Sequence, residues 1–268
     1  MRNLISESLL DISPGKQVGE KSGWREEKSC RAKQKGEIIS IDPKNRGLLK
    51  RIHDSAWAWD LFQGPVYNRL IENAAADYFD FLTDLLRAEA PRRLLDVGAG
   101  AGAMSLKLAE IYPAAEITGI DYAPQQVRAA QDRAKRAAIT NCSFQLGNAM
   151  HLPFASESFD LVISSNSLKH WPDPVRGLAE IRRVLHPGAK AFTAEADRGA
   201  SPAALQIFAS KYCRWYLCPP LMRWCLRKVV FGHSYTADEA KRFARRAGFQ
   251  TIISREVPGP FFLVITVK

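Results

Sequence analysis

Two carboxylates and a run of glycines are the residues of this chain best suited to hold a ligand. Asp96 is followed by Val97-Gly98-Ala99-Gly100-Ala101-Gly102, and Asp121 stands 19 residues beyond Gly102. Glycines allow a sharp turn and a close approach of backbone to ligand. Gly98, Gly100 and Ala103 also satisfy the dinucleotide-binding pattern G-x-G-x-x-G/A, so the glycines alone leave two ligand classes open. Asp96 helps to separate them. A carboxylate two residues before the first glycine repels a pyrophosphate and favours a ligand with positive charge. Asp121 suits ribose hydroxyls in either class.

Proton chemistry points to histidine. His170, in Ser167-Leu168-Lys169-His170-Trp171, follows a short apolar run and is the best candidate for a general base. The competing reading is that it orders its loop or packs beside Trp171. His151 reads as structural, and His233 as a weaker candidate to face a substrate. The five cysteines, Cys30, Cys142, Cys213, Cys218 and Cys225, form neither a C-x-x-C pair nor a zinc spacing. They read as reduced packing thiols, and no metal site is indicated.

The elements that must position these residues alternate. Apolar strands are expected at 92–98, 115–121, 142–148, 159–165, 189–196, 250–257 and 261–267, with helices at 103–112, 124–138, 174–185 and 236–249. Pro124 opens the second of these helices. Thr236 and Glu239 form a capping box for the last. Strand and helix at these intervals predict a doubly wound α/β sheet. The link Pro258-Gly259-Pro260 is too short for a parallel crossover, so the last strand must be antiparallel.

Outside this pattern, residues 1–45 mix charge, Gly and Ser with little periodicity and predict a flexible tail. Residues 46–90 read as N-terminal helices, and 91–268 as the main domain. An insertion at 199–235 holds no acid but carries Lys211, Arg214, Arg223, Arg227 and Lys228 among Tyr212, Trp215, Tyr216, Trp224 and Phe231. It reads as a helical lid over the ligand end of the sheet. The net charge is +10, which favours anionic partners in general. No stretch reaches the ~20 apolar residues of a membrane span, and the first residues do not form a secretory signal. A cytoplasmic protein is expected.

Four segments in order carry a family resemblance: LLDVGAGAG (94–102), GIDYAP (119–124), GNAMHLPFASESFDLVISSNSLKHWPDP (147–174) and EIRRVLHPGAK (180–190). The chain resembles the class I S-adenosylmethionine-dependent methyltransferases, within them the ubiquinone and menaquinone biosynthesis group. The resemblance implies a Rossmann-like, seven-stranded, mainly parallel sheet with an antiparallel last strand, helices on both faces, and S-adenosylmethionine as cofactor. It also implies that Asp96, Gly98, Gly100 and Gly102, with Ala99 between them, line the methionine portion. Asp121 would bind the ribose, Tyr122 would pack on the adenine, and Asn148 and Ala149 would hold its edge with Met150 against its face. Ser165 would lie beside the sulfonium. Two departures stand out: Pro187-Gly188-Ala189, where relatives carry a second glycine, and Trp59-Asp60, where they often have Tyr-Asp. A phenol there accepts a hydrogen bond and an indole does not, so that contact is either absent or supplied by Tyr67.

The lid composition suits a small, hydrophobic or lipid-like methyl acceptor, and a peripheral membrane contact through 211–231. Two alternatives stay open: a nucleic-acid methyltransferase, and a binding protein without turnover. Against the first, SSNSLKHW lacks the N/D-P-P-Y/F type of sequence, and no RNA-binding module is visible.

Overall fold

The computed structural model describes residues 75–213 and 231–268, with side chains for 75–210 and 231–268. The expected tail, the helices before residue 75, the Trp59-Asp60 and Tyr67 contact, and lid residues 214–230 lie outside the described residues.

The apolar runs become strands because they are buried on both faces. β1 (Arg93–Val97) has every residue after Arg93 buried, and β4 (Phe159–Ser165) is buried over most of its length. Such continuous burial is the signature of a central parallel strand covered by helices on both sides. The remaining strands are β2 (Glu116–Asp121), β3 (Cys142–Leu146), β5 (Leu185–Ala196), β6 (Thr251–Glu256) and β7 (Phe261–Val267). They form one seven-stranded sheet in the order β3-β2-β1-β4-β5-β7-β6. All neighbours from β3 to β5 pair parallel, and β7 runs antiparallel to both β5 and β6, as the short Pro-Gly-Pro link requires.

β5 starts four residues earlier than expected. Its register against β4 steps from Phe159↔Leu185 to Leu161↔Lys190. This irregularity absorbs Pro187-Gly188 within the strand, which the sequence pattern starts only at residue 189.

Helices cover both faces. α1 (Ala76–Leu86), α2 (Ala103–Ile111) and α3 (Pro124–Arg136) contribute Tyr78, Leu82, Leu108 and Val127 to one core. α4 (Pro174–Val184) and α6 (Ala237–Arg246) contribute Leu178, Ile181, Ala240 and Ala244 to the other. α4 is capped by Asp173, whose side chain accepts from the Arg176 N–H, and α6 carries the capping box predicted from Thr236 and Glu239. α5 (Pro202–Cys213) opens the insertion, a helix that the sequence pattern did not delimit. The chain leaves β1 toward β2 on one side and returns to β4 on the other. That reversal leaves a crevice outside the carboxyl ends of β1 and β4, the place where open α/β sheets bind ligands.

Candidate active site

The glycine turn sits at this reversal. Gly98 and Ala99 donate their N–H groups to the Ile120 carbonyl at 2.8 and 2.9 Å, tying the end of β1 to the end of β2. Gly98 has φ +79°, and a Cβ there would lie 1.9 Å from Ser167 Oγ. Only glycine lets the turn after β4 close against the turn after β1. Gly102 has φ +78°, and a Cβ there would lie 2.7 Å from the Phe144 ring. Its glycine therefore also serves the packing of α2 against β3.

Both carboxylates belong to this turn. The Gly100 N–H donates to Asp121 Oδ2 and the Ala123 N–H to Asp121 Oδ1, each at 2.9 Å. A carboxylate held by two backbone donors is fixed in direction. Asp96 is 1 % exposed and accepts a 2.6 Å hydrogen bond from Ser105 Oγ at the start of α2. Burial pushes its carboxyl up to about 7, opposed by the Ser105 hydroxyl and reinforced by the like charge of Asp121. A cation beside Asp96 would restore the charged form. The pair thus suits a ligand that brings positive charge together with vicinal hydroxyls.

The other residues singled out in the sequence arrive around the same crevice. Tyr122 follows Asp121 beside the turn and is 43 % exposed. Asn148 is exposed, and its Oδ1 accepts the Met150 N–H at 3.0 Å, folding 148–151 into a tight loop. Ala149 and Met150 are half-buried and pack against the second core, while His151 closes the loop with its N–H on the Asn148 carbonyl. Ser165 ends β4, half-buried, and its Oγ lies 2.8 Å from the Tyr78 hydroxyl. His170 is half-buried in the 3-10 turn Leu168–His170, its N–H donated to the Ser167 carbonyl at 2.9 Å.

Three polar groups at the site escaped the sequence reading. Tyr78 stacks on Phe261 at 4.4 Å and delivers its hydroxyl to Ser165 from α1; burial raises its pKa, so the hydroxyl stays protonated. Glu195, fully buried near the end of β5, accepts from Lys169 Nζ at 2.7 Å. A lone acid inside the apolar run AKAFTAEA was the available signal for Glu195. Among the described residues, no group of three or more His, Cys, Asp or Glu is placed to hold a metal ion, and no helix is long and apolar enough to cross a membrane.

A sheet in this order, with an acid-flanked glycine turn at its reversal, is the fold of the class I S-adenosylmethionine-dependent methyltransferases. The chain belongs to the family described as "Methyltransferase domain", which matches residues 89–248. It is 32% identical over 161 residues to 27-O-demethylrifamycin SV methyltransferase of Amycolatopsis mediterranei, covering 59% of each chain. It is 37% identical over 114 residues to demethylmenaquinone methyltransferase of Deinococcus radiodurans, covering 42% of this chain and 47% of that one. The chain thus spans about half the length of these curated relatives. A crystal structure of a SAM-dependent methyltransferase from Aquifex aeolicus superposes with a TM-score of 0.52 at 18% identity, covering 70% of this chain and 96% of that one; this likeness concerns the fold.

Proposed function

We propose that the protein transfers a methyl group from S-adenosylmethionine to a small, hydrophobic acceptor. The observation that carries this reading is the buried Asp96 carboxylate behind the glycine turn, with Asp121 fixed across from it. S-adenosylmethionine carries an ammonium and a sulfonium, no phosphate, and a ribose; this fits the charge preference and the hydroxyl-binding geometry of the two acids.

In this reading Asp96 receives the cationic end of the methionine portion along the turn of Gly98, Ala99, Gly100 and Gly102. Asp121 holds the ribose hydroxyls and Tyr122 covers the adenine. Asn148 and Ala149 border its edge, with Met150 against its face, and Ser165 stands at the sulfonium side. When bound, the cofactor supplies a methyl on an already activated leaving group. The chain's task is then alignment and exclusion of water, for which orientation supplies ~7–11 kcal/mol in favourable cases. His170, in the turn beside Ser165, is the group to accept a proton from an acceptor that arrives protonated.

The hydrophobic acceptor is supported by the aromatic cluster flanking the Ser165 end of the sheet. Phe208 of α5 and Phe231, both within the insertion, meet Phe261 at 5.5 and 6.3 Å, and Phe261 stacks on Tyr78. The names of the rifamycin and menaquinone relatives are compatible with an aromatic or quinol-like molecule. The test is incubation of the purified protein with methyl-labelled S-adenosylmethionine and cell extract. Label in the organic-solvent fraction is the expected result. Label in nucleic acid would overturn the acceptor class, and no transfer to any fraction would overturn the enzymatic reading.

A further inference from the structure

The turn after β4 is held from below by a charge pair that the chemistry above does not use. Glu195 is fully buried on β5, and Lys169, in the 3-10 turn, is nearly so. One carboxylate oxygen accepts from Lys169 Nζ at 2.7 Å and from the Ala196 N–H at 2.8 Å; the other accepts the Lys169 N–H at 3.1 Å. Of the ion pairs among the described residues, this one is the most completely withdrawn from water. Apolar side chains of similar volume would fill the same space at equal or lower energy, so stability alone does not account for a charge pair here.

What the pair touches is backbone. Lys169 Nζ also donates to the Asn166 carbonyl at 3.0 Å, and the Asn166 N–H donates to the Ala194 carbonyl at 2.8 Å. Asn166 has φ +55°, a left-handed conformation that is unfavourable for a residue with a side chain and is retained where the surroundings impose it. The next residue, Ser167, fills the space that a side chain on Gly98 would need, and its Oγ accepts from Trp171 Nε1 at 2.9 Å. Contacts therefore run without a gap from Glu195 through Lys169 and Asn166 to Ser167, and from there to the glycine turn.

We propose that Lys169 and Glu195 are positioning residues for cofactor binding: the ion pair holds Asn166 left-handed, which seats Ser167 on Gly98 and fixes the turn that receives the methionine portion. The inference rests on the cofactor reading above for the identity of the ligand, and on geometry alone for the coupling between the two turns. It also accounts for the inward course of Lys169, one residue before the histidine that the sequence singles out.

The experiment compares the full chain with Lys169→Met, Glu195→Gln and the double variant K169M/E195Q, in which the Gln carbonyl accepts one of the two backbone N–H donors and no buried charge remains. Three quantities are read: the melting temperature, the affinity for S-adenosylhomocysteine by calorimetry, and amide hydrogen exchange at 97–102 and 166–171. Each single variant leaves a buried charge without its partner, and a large drop in melting temperature is expected. The double variant should regain most of the melting temperature while binding at least tenfold more weakly, with faster exchange confined to the two turns. Recovery of parental affinity and parental exchange along with the melting temperature would overturn the proposal and leave the pair a packing feature. If the double variant stays unstable, faster exchange spread over the whole sheet overturns it, and exchange confined to the turns supports it. A parent chain that gives no heat with S-adenosylhomocysteine defeats the cofactor reading, while the exchange comparison still decides the coupling.

Discussion

At the scale of a residue, Asp96 is a carboxyl almost wholly withdrawn from water. A carboxylate in this position is disfavoured by burial, and the protein retains it beside a turn that needs charge for a cationic ligand. Its folded-state pKa, about 7, lies above the ordinary carboxylate value. The contribution to stability is therefore full below about pH 4 and is lost as pH rises through 7. Asp96→Asn removes that loss. We expect the variant to be more stable than the parent by roughly 4 kcal/mol at pH 8, with the excess shrinking toward pH 5, as read by thermal unfolding across that range. A difference that does not change with pH would contradict the raised pKa. The same variant should bind S-adenosylmethionine at least tenfold more weakly. Binding to the parent should tighten from pH 6 to 8, because the cation favours the charged form.

At the scale of elements, local chemistry and tertiary contacts reinforce each other around α6. Glu239 Oε2 accepts the Thr236 N–H at 2.9 Å, and both Glu239 oxygens accept from Arg198 Nη2 at 2.7 Å. Arg198 follows β5, where the insertion departs, so this contact closes the base of the insertion onto α6. Thr236→Ala should cost about 1 kcal/mol, the usual value for a lost N-cap. Glu239→Ala should cost more, because it removes the reciprocal cap and the ion pair together. Urea denaturation of both variants checks the order, and an equal or smaller cost for Glu239→Ala would contradict it. A third expectation concerns Tyr78 and Ser165, which join α1 to the end of β4. Tyr78→Phe keeps the stacking on Phe261 and leaves the Ser165 hydroxyl without this bond, a loss of about 1 kcal/mol measurable in the same titration.

The elements that could be read from sequence were those whose period matches their burial. The runs at 94–97, 117–120 and 159–163 are apolar because their strands are covered on both faces, and Thr236 with Glu239 announces a helix start by local hydrogen bonding alone. The start of β5 is hidden because Pro187-Gly188 interrupts the apolar pattern, and only pairing with β4 reveals that the strand continues through it. The acid-flanked glycine turn was legible because its residues are contiguous. Tyr78 was not, since its partner Ser165 lies 87 residues away and its spacing says only that it belongs to the buried face of a helix. Lys169 reads as a surface lysine until the fold brings Glu195 beneath it.

For the whole molecule, local and global charge set opposite preferences. The chain carries a net charge of +10, which would draw phosphate-bearing ligands toward it in general. Asp96 and Asp121 set the opposite preference at the carboxyl ends of β1 and β2. The local term should prevail in binding, because the two acids lie within the site and the surface charges are screened over roughly 8–10 Å at physiological salt. The measurement that tests this most directly is calorimetry of the purified chain with S-adenosylmethionine, S-adenosylhomocysteine and NADH at pH 7.5. The account predicts saturable heat with the first two and none with the third. Heat with NADH and none with either sulfur nucleoside would contradict it.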